Sequence, residues 1–205
     1  MKRSTLAISL AATVFAAAAP AALAQDSNWL VRARAVHLSP ADKSDPVGGT
    51  GAADRISVES RTIPEIDISY LLTPNWAAEL VLTVPQKHTV MLDGAAIGSF
   101  RHLPPTLLAQ YRFDPVGQFT PYLGAGVNYT RISSVHLLGG AGGLEHYSVG
   151  LALQAGLDFA IDKHWSLNLD VKRVNIRSDV TASGAVISAV KVDPTLVAVG
   201  VGYRF

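Results

Sequence analysis

Cysteine is absent from this 205-residue chain, which removes disulfide frameworks and thiolate metal sites together. Charge is sparse as well: 16% of residues are Asp, Glu, Lys or Arg, and the formal net charge is +1. That near-neutral balance argues against electrostatic capture of nucleic acid, which needs a dense cationic face. Long hydrophobic runs are also missing. Although 49% of the residues are hydrophobic, no stretch beyond residue 24 approaches the ~18 uncharged apolar residues of a membrane-spanning helix. His37, His88, His102, His136, His146 and His164 are scattered without metal-ligand spacing. No G-x-S-x-G nucleophile motif occurs. The chain offers no constellation for catalysis, for a cofactor or for a metal.

What is there begins with a leader. A basic Met1-Lys2-Arg3 start, an apolar run over 6–19 and the small residues of Ala22-Leu23-Ala24 predict a secretory signal peptide cleaved after Ala24. Residues 25–205 then suit a single domain. Within it the hydrophobic residues alternate rather than cluster. The last eleven residues set Val197, Val199, Val201, Tyr203 and Phe205 against Leu196, Ala198, Gly200, Gly202 and Arg204. Period two over that length is a strand. Soluble strands run about five or six residues, whereas a membrane-spanning one needs roughly nine to eleven.

Seven further segments alternate in the same way, at 29–38, 62–72, 76–85, 106–113, 123–130, 147–159 and 165–172. Their connections alternate in length. Those at 73–75, 114–120 and 162–164 are short and carry turn residues, while 40–61, 86–105, 133–146 and 177–193 are long. Trp29, Tyr70, Trp76, Tyr111, Phe113, Phe119, Tyr122, Phe159, Trp165, Tyr203 and Phe205 fall near strand ends on the short-turn side, as an aromatic girdle requires. The continuous face is apolar and the opposing face holds the charges, the reverse of a soluble barrel. The predicted fold is all-β: an eight-stranded antiparallel transmembrane β-barrel with short periplasmic turns and long extracellular loops, in the outer membrane and in contact with its lipids.

Eight strands enclose little more than their own side chains, so an open aqueous pore is not expected. The inward set holds Arg32, Arg34, Glu65, Asp67, Glu79, Arg112, Asp158, Asp170, Lys172 and Arg204. Mutual pairing as a plug is the simpler reading of these; a proton or ion path is the sharper one. Toward the loops, Val36, Leu38, Leu103, Leu108, Val174 and Ile176 are expected to point inward. They either line a hydrophobic pocket or pack beneath a loop lid. Pro64, Pro85, Pro104 and Pro105 each remove a ladder donor. They either end strands at the rim or mark a lateral opening in the wall.

Four strings place the chain beside a known family. They are His102-Leu103-Pro104-Pro105-Thr106-Leu107-Leu108-Ala109-Gln110-Tyr111, the run from Pro121 through Tyr122-Leu123-Gly124 to Thr130, Gln154-Ala155-Gly156-Leu157-Asp158, and Val192-Asp193-Pro194 followed by Gly202-Tyr203-Arg204-Phe205. Together they resemble the outer membrane protein W family, which includes the alkane-uptake protein of hydrocarbon-degrading bacteria. The resemblance implies an eight-stranded outer-membrane barrel with a narrow hydrophobic interior that passes small hydrophobic solutes inward. It also implies that Tyr203 and Phe205 form the signal read by the outer-membrane barrel assembly machinery. Arg173 departs from the pattern by occupying a lipid-facing position. The loops, including 138–144, carry no family string. A structural or adhesive barrel without transport remains an alternative, with a small lipid-modifying outer-membrane enzyme a more distant one.

Overall fold

The computed structural model describes residues 27–182 and 184–205; the leader expected at 1–24 lies outside them. Its strands in chain order are β1 (Trp29–Ser39), β2 (Lys43–Ser44), β3 (Ile56–Val58), β4 (Arg61–Leu71), β5 (Trp76–Thr83), β6 (Gln86–Leu92), β7 (Ala95–Leu103), β8 (Thr106–Arg112), β9 (Phe119–Leu137), β10 (Gly142–Leu144), β11 (Tyr147–Ala160), β12 (Trp165–Val174), β13 (Arg177–Ala182), β14 (Ala185–Lys191) and β15 (Thr195–Arg204). Eight of them close on themselves in the order β11-β12-β15-β1-β4-β5-β8-β9, with β9 returning to β11. Every neighbouring pair is antiparallel. Closure leaves no unpaired edge, which is what a strand protein needs in hydrocarbon. The carboxy-terminal strand β15 stands between β1 and β12 and so completes the ring.

The alternation read from sequence is the pleat of this wall. Along β12, Asn168, Asp170 and Lys172 are buried while Leu167, Leu169 and Val171 are exposed. β15 behaves likewise, with Leu196 and Ala198 inside and Val197, Val199 and Val201 outside. The outer apolar residues form the lipid-facing band. Aromatic rings meet edge-on along the short-turn rim: Trp29 with Tyr70, Trp76 with Tyr111, and Trp165 with Tyr203. Tyr203 and Phe205 also pack edge to face, 4.9 Å between centroids. Arg173 is exposed and donates to the Thr195 hydroxyl across the ladder at 2.7 Å.

Two expectations about this rim need correction. Tyr122 is not part of the girdle; it is buried inside the barrel, on the same parity as the polar residues of its strand. Arg204 is exposed at the short-turn mouth rather than buried among the inward charges.

Of the four segments expected as loops, 86–105 and 177–193 are largely strand, and the other two carry short strands. β6 and β7 form a hairpin through Asp93 and Gly94, both at positive φ (51° and 80°), the backbone of a two-residue primed turn. β13 and β14 form a second hairpin. Together with the upper part of β9 these strands build a collar in the order β3-β6-β7-β9-β10-β13-β14-β2. Both outer strands, β2 and β3, come from the first long connection, and their edges are tied together. Asp54 donates its main-chain N–H to Ser44 at 2.8 Å, and the Ser44 hydroxyl accepts from Ile56 at 3.2 Å. The glycine-rich 138–144 stretch, expected as loop, makes a tight turn at Leu138–Gly140 with Gly139 at positive φ (66°) and then enters β10. Ile56, Val58, Val90, Phe100, Ile132, Leu137, Val180 and Val190 point into the collar and form its core.

Candidate functional site

From the short-turn side upward the barrel interior has three tiers. The lowest is an ionic floor. Arg34 pairs with Glu65 (3.0 Å), Glu79 (3.2 Å) and Asp170 (3.4 Å), and also with Asp67. Asp158 holds Arg32 at 2.7 Å and Arg112 at 2.8 Å. Lys172 bridges Glu65 and Asp170. Tyr122 donates its hydroxyl to Asp170 at 2.8 Å and accepts from the Asn168 amide at 2.9 Å, with the Arg32 and Arg112 guanidinium groups over its ring. Four cations thus meet five carboxylates. Buried charges of this kind persist only when paired and hydrogen-bonded. Arg32, Asp67, Glu79, Gln110 and Asp170 have no solvent exposure at all, so the floor fills the lumen.

Above it lies an apolar belt that includes Val36, Ile63, Val81, Leu108, Val174, Leu196 and Ala198. A narrow neck opens in this belt, lined by Leu38, Ile63, Val81, His102, Pro104, Thr106, Asn128, Val174, Ile176 and Pro194, with Glu65 and Lys172 at its base. The third tier is the collar cavity. Its lining includes Ile56, Val58, Val90, Phe100, Ile132, Val180 and Val190, and it shares Leu38, His102, Ile176 and Pro194 with the neck. Its free volume is about 30 Å³. No Asp, Glu, Lys or Arg lines it.

Two imidazoles stand in this apolar wall. His88 and His102 are both buried, their ring centroids 4.7 Å apart, and Phe100 stacks on His88 at 5.8 Å. Burial holds the His102 pKa down at about 3, and the neighbouring His88 adds to the shift. Burial likewise lowers His88, against a hydrogen bond to the Glu59 carbonyl. Both rings are therefore neutral at ordinary pH.

The expected pocket residues separate on this geometry. Leu38 and Ile176 line both neck and cavity, and Val174 lines the neck. Val36 and Leu108 are buried in the belt without lining either space. Leu103 is a correction: it is half-buried and lines neither cavity, because inward parity runs unbroken along the even-numbered Phe100, His102, Thr106, Leu108 and Gln110. His102 holds the place expected for Leu103.

The prolines separate too. Pro64 and Pro85 are exposed on the outside. Pro104 lines the neck, whereas Pro105 lines a groove on the lipid face with Leu80, Leu107, Val127, Tyr129 and Val149. Thr106 and Asn128 line both spaces, so only one layer of wall separates neck from groove. Backbone pairing lapses on the β5 side of this stretch, where β5 last pairs at Val81↔Thr106 and β6 begins at Gln86↔His102, while on the β9 side the Tyr129 N–H still donates to the Pro105 oxygen at 3.0 Å. On the β9 side the Asn128 amide adds side-chain bonds, donating to the main-chain oxygens of Pro104 (3.1 Å) and Pro105 (3.2 Å) and to the Thr106 hydroxyl (2.9 Å). Neither Asn128 nor the His88–His102 pair stood out in the sequence. Their inward parity was the available signal, and for the histidines it was hidden by treating 86–105 as loop. Among the described residues no three of His, Cys, Asp or Glu converge to hold a metal ion.

The family model for the OmpW family matches residues 25–205. The chain belongs to the OmpW family. A Sinorhizobium fredii relative named uncharacterized outer-membrane protein y4mB is 39% identical, covering 87% of this chain and 80% of its own. Outer membrane protein W of Vibrio cholerae is 31% identical over 96% of this chain and 97% of its own. Among solved structures, the outer membrane protein OprG from Pseudomonas aeruginosa superposes with a TM-score of 0.76 at 28% identity, covering 88% of this chain and 97% of that one. Membership of the OmpW family sets the three tiers in the outer membrane, with the short turns in the periplasm and the collar outside the cell.

Proposed function

We propose that this OmpW-family barrel passes small hydrophobic molecules from outside the cell into the outer membrane. The solute is taken up by the collar cavity, descends to the neck, and leaves sideways between Pro104 and Asn128 into the bilayer. The observation that carries this reading is the meeting of neck and lipid-face groove at Thr106 and Asn128. There the wall has lost ladder donors to proline, and the ionic floor below leaves no straight path down. An apolar solute gains at each stage by staying out of water, and the charged floor turns it aside because desolvating those ions has no compensation there. Asn128 is the latch: its amide bonds are side-chain bonds, which a rotamer change releases without breaking the β8–β9 ladder.

The test is uptake of a radiolabelled medium-chain alkane by cells that do or do not carry the barrel in their outer membrane. Ile176→Lys, which places a cation in the cavity lining, is expected to reduce protein-dependent uptake to background. Leu103→Lys, outside the lining, is expected to leave it within about twofold of the parent, as a surface change should. Pro104→Ala with Pro105→Ala restores two backbone donors and is expected to slow uptake while the barrel still folds. Equal uptake with and without the protein would instead favour a structural or adhesive role.

A further inference from the structure

The collar cavity is almost wholly apolar, yet three polar atoms of its lining residues are buried without a partner among the described residues: His88 Nε2, His102 Nδ1 and Ser178 Oγ. Buried polar atoms left in that state cost free energy, so a cavity that keeps them calls for a ligand group to fill them. The chemistry of that group follows from His88. Its Nδ1 lies 3.0 Å from the main-chain oxygen of Glu59. A carbonyl oxygen only accepts, so Nδ1 carries the hydrogen and Nε2 is a bare acceptor. His88 is 1% exposed, which shields that lone pair from bulk water. The matching ligand group must donate a hydrogen bond. It must also be neutral, because no charged side chain lines the cavity to balance an ion, and an unpaired ion there would be expelled. The rings beside it belong to His88, Phe100 and His102, with centroids 4.7–6.1 Å apart, His88 and Phe100 stacked and the His102 ring tilted against both.

We propose that the collar cavity, widened by rotation of its aliphatic lining side chains, selects apolar aromatic molecules bearing one neutral hydroxyl, with the O–H donated to His88 Nε2 and the ring laid against Phe100 and His102. The site thus discriminates by one hydrogen bond within an otherwise apolar seat. A site built that way prefers the hydroxylated molecule over its parent hydrocarbon, because the parent leaves Nε2 unfilled.

This deepens the proposed passage of hydrophobic molecules, and two measurements separate the claims. The first is imidazole 15N NMR of the full barrel in lipid nanodiscs, titrated with 1-naphthol or with naphthalene. Donation to His88 Nε2 moves that resonance; naphthol is expected to shift it and naphthalene to leave it in place. An Nε2 signal that naphthol does not move, whether bare or already occupied by water, overturns the proposal whatever the transport result. The second is cell uptake of the same two radiolabelled probes. The protein-dependent preference for naphthol is expected to fall about three- to tenfold in His88→Phe, the worth of one hydrogen bond. Naphthalene uptake should persist, and His88→Gln, whose amide oxygen restores an acceptor, should recover the preference. An unchanged preference in a folded His88→Phe barrel also overturns the proposal. Loss of uptake for both probes in the parent protein, with the NMR shift intact, would remove the transport reading and leave the binding site standing.

Discussion

At the scale of single residues, the floor depends on one missing side chain. Tyr122 lies over Gly156, where an added Cβ would come within 2.2 Å of its ring. Gly156→Ala must therefore displace the ring that donates to Asp170 and carries two guanidinium groups. The expected outcome is a loss of about 1–3 kcal/mol, the cost of leaving buried polar groups unfilled, read from the urea unfolding midpoint in detergent micelles. An unchanged midpoint would mean that Tyr122 is not fixed by this contact. Tyr122 also shows what residue identity hides. A tyrosine near a strand end suggested the girdle, but parity placed it with Gly124, Gly126 and Asn128, facing inward. Leu103 failed for the same reason in reverse: its hydrophobicity suggested the pocket, and its odd number put it outside. Where chemistry and parity disagree on a pleated strand, parity wins, because reversing one side chain requires a bulge.

At the scale of elements, the eight membrane staves were legible because each repeats its alternation over many residues. The collar was not, although its sequence carried signals. Asp93-Gly94 is a strong short-range hairpin marker, and His88, Val90, Phe100 and His102 alternate around it. Prolines at 85, 104 and 105 broke the pattern just below, making the stretch read as loop. β9 spans 19 residues, which at ~3.3 Å each is about 60 Å of chain against a hydrocarbon core of ~30 Å, so its upper part continues outside the membrane. The β6–β7 hairpin carries a pH prediction. His102, held at about 3, binds its proton far less readily when packed than when released at ~6.5. Released chains therefore bind more protons between those values, and packing weakens as pH falls. Of the charged groups near His88, Arg61 opposes its protonation and Glu59 favours it; His102 is opposed by His88. At pH 5 the His102 contribution amounts to about 2 kcal/mol. Amide hydrogen exchange in β6 and β7, corrected for intrinsic rates, should quicken between pH 7 and pH 5 relative to β12. His102→Gln should remove most of that difference, and identical protection at both pH values would contradict it.

At the scale of the whole molecule, the chain divides its interior by height: ions below, hydrocarbon in the middle, an aromatic and imidazole seat above. Both the class of fold and the inward charges other than Arg204 followed from sequence, since alternation and charge parity are local properties. The ordering of the tiers did not, because it depends on which strands become neighbours and how far each is staggered. The floor has an electrical consequence. Four cations and five carboxylates share one buried network across the lumen, a barrier to ions. In a planar lipid bilayer under an applied voltage, the reconstituted protein should give no steps above baseline, even where apolar solutes move freely; regular openings would show the floor to be porous. A cell can then hold many copies of such a barrel without short-circuiting the ion gradients and Donnan potential across its outer envelope, a freedom that water-filled porins do not have.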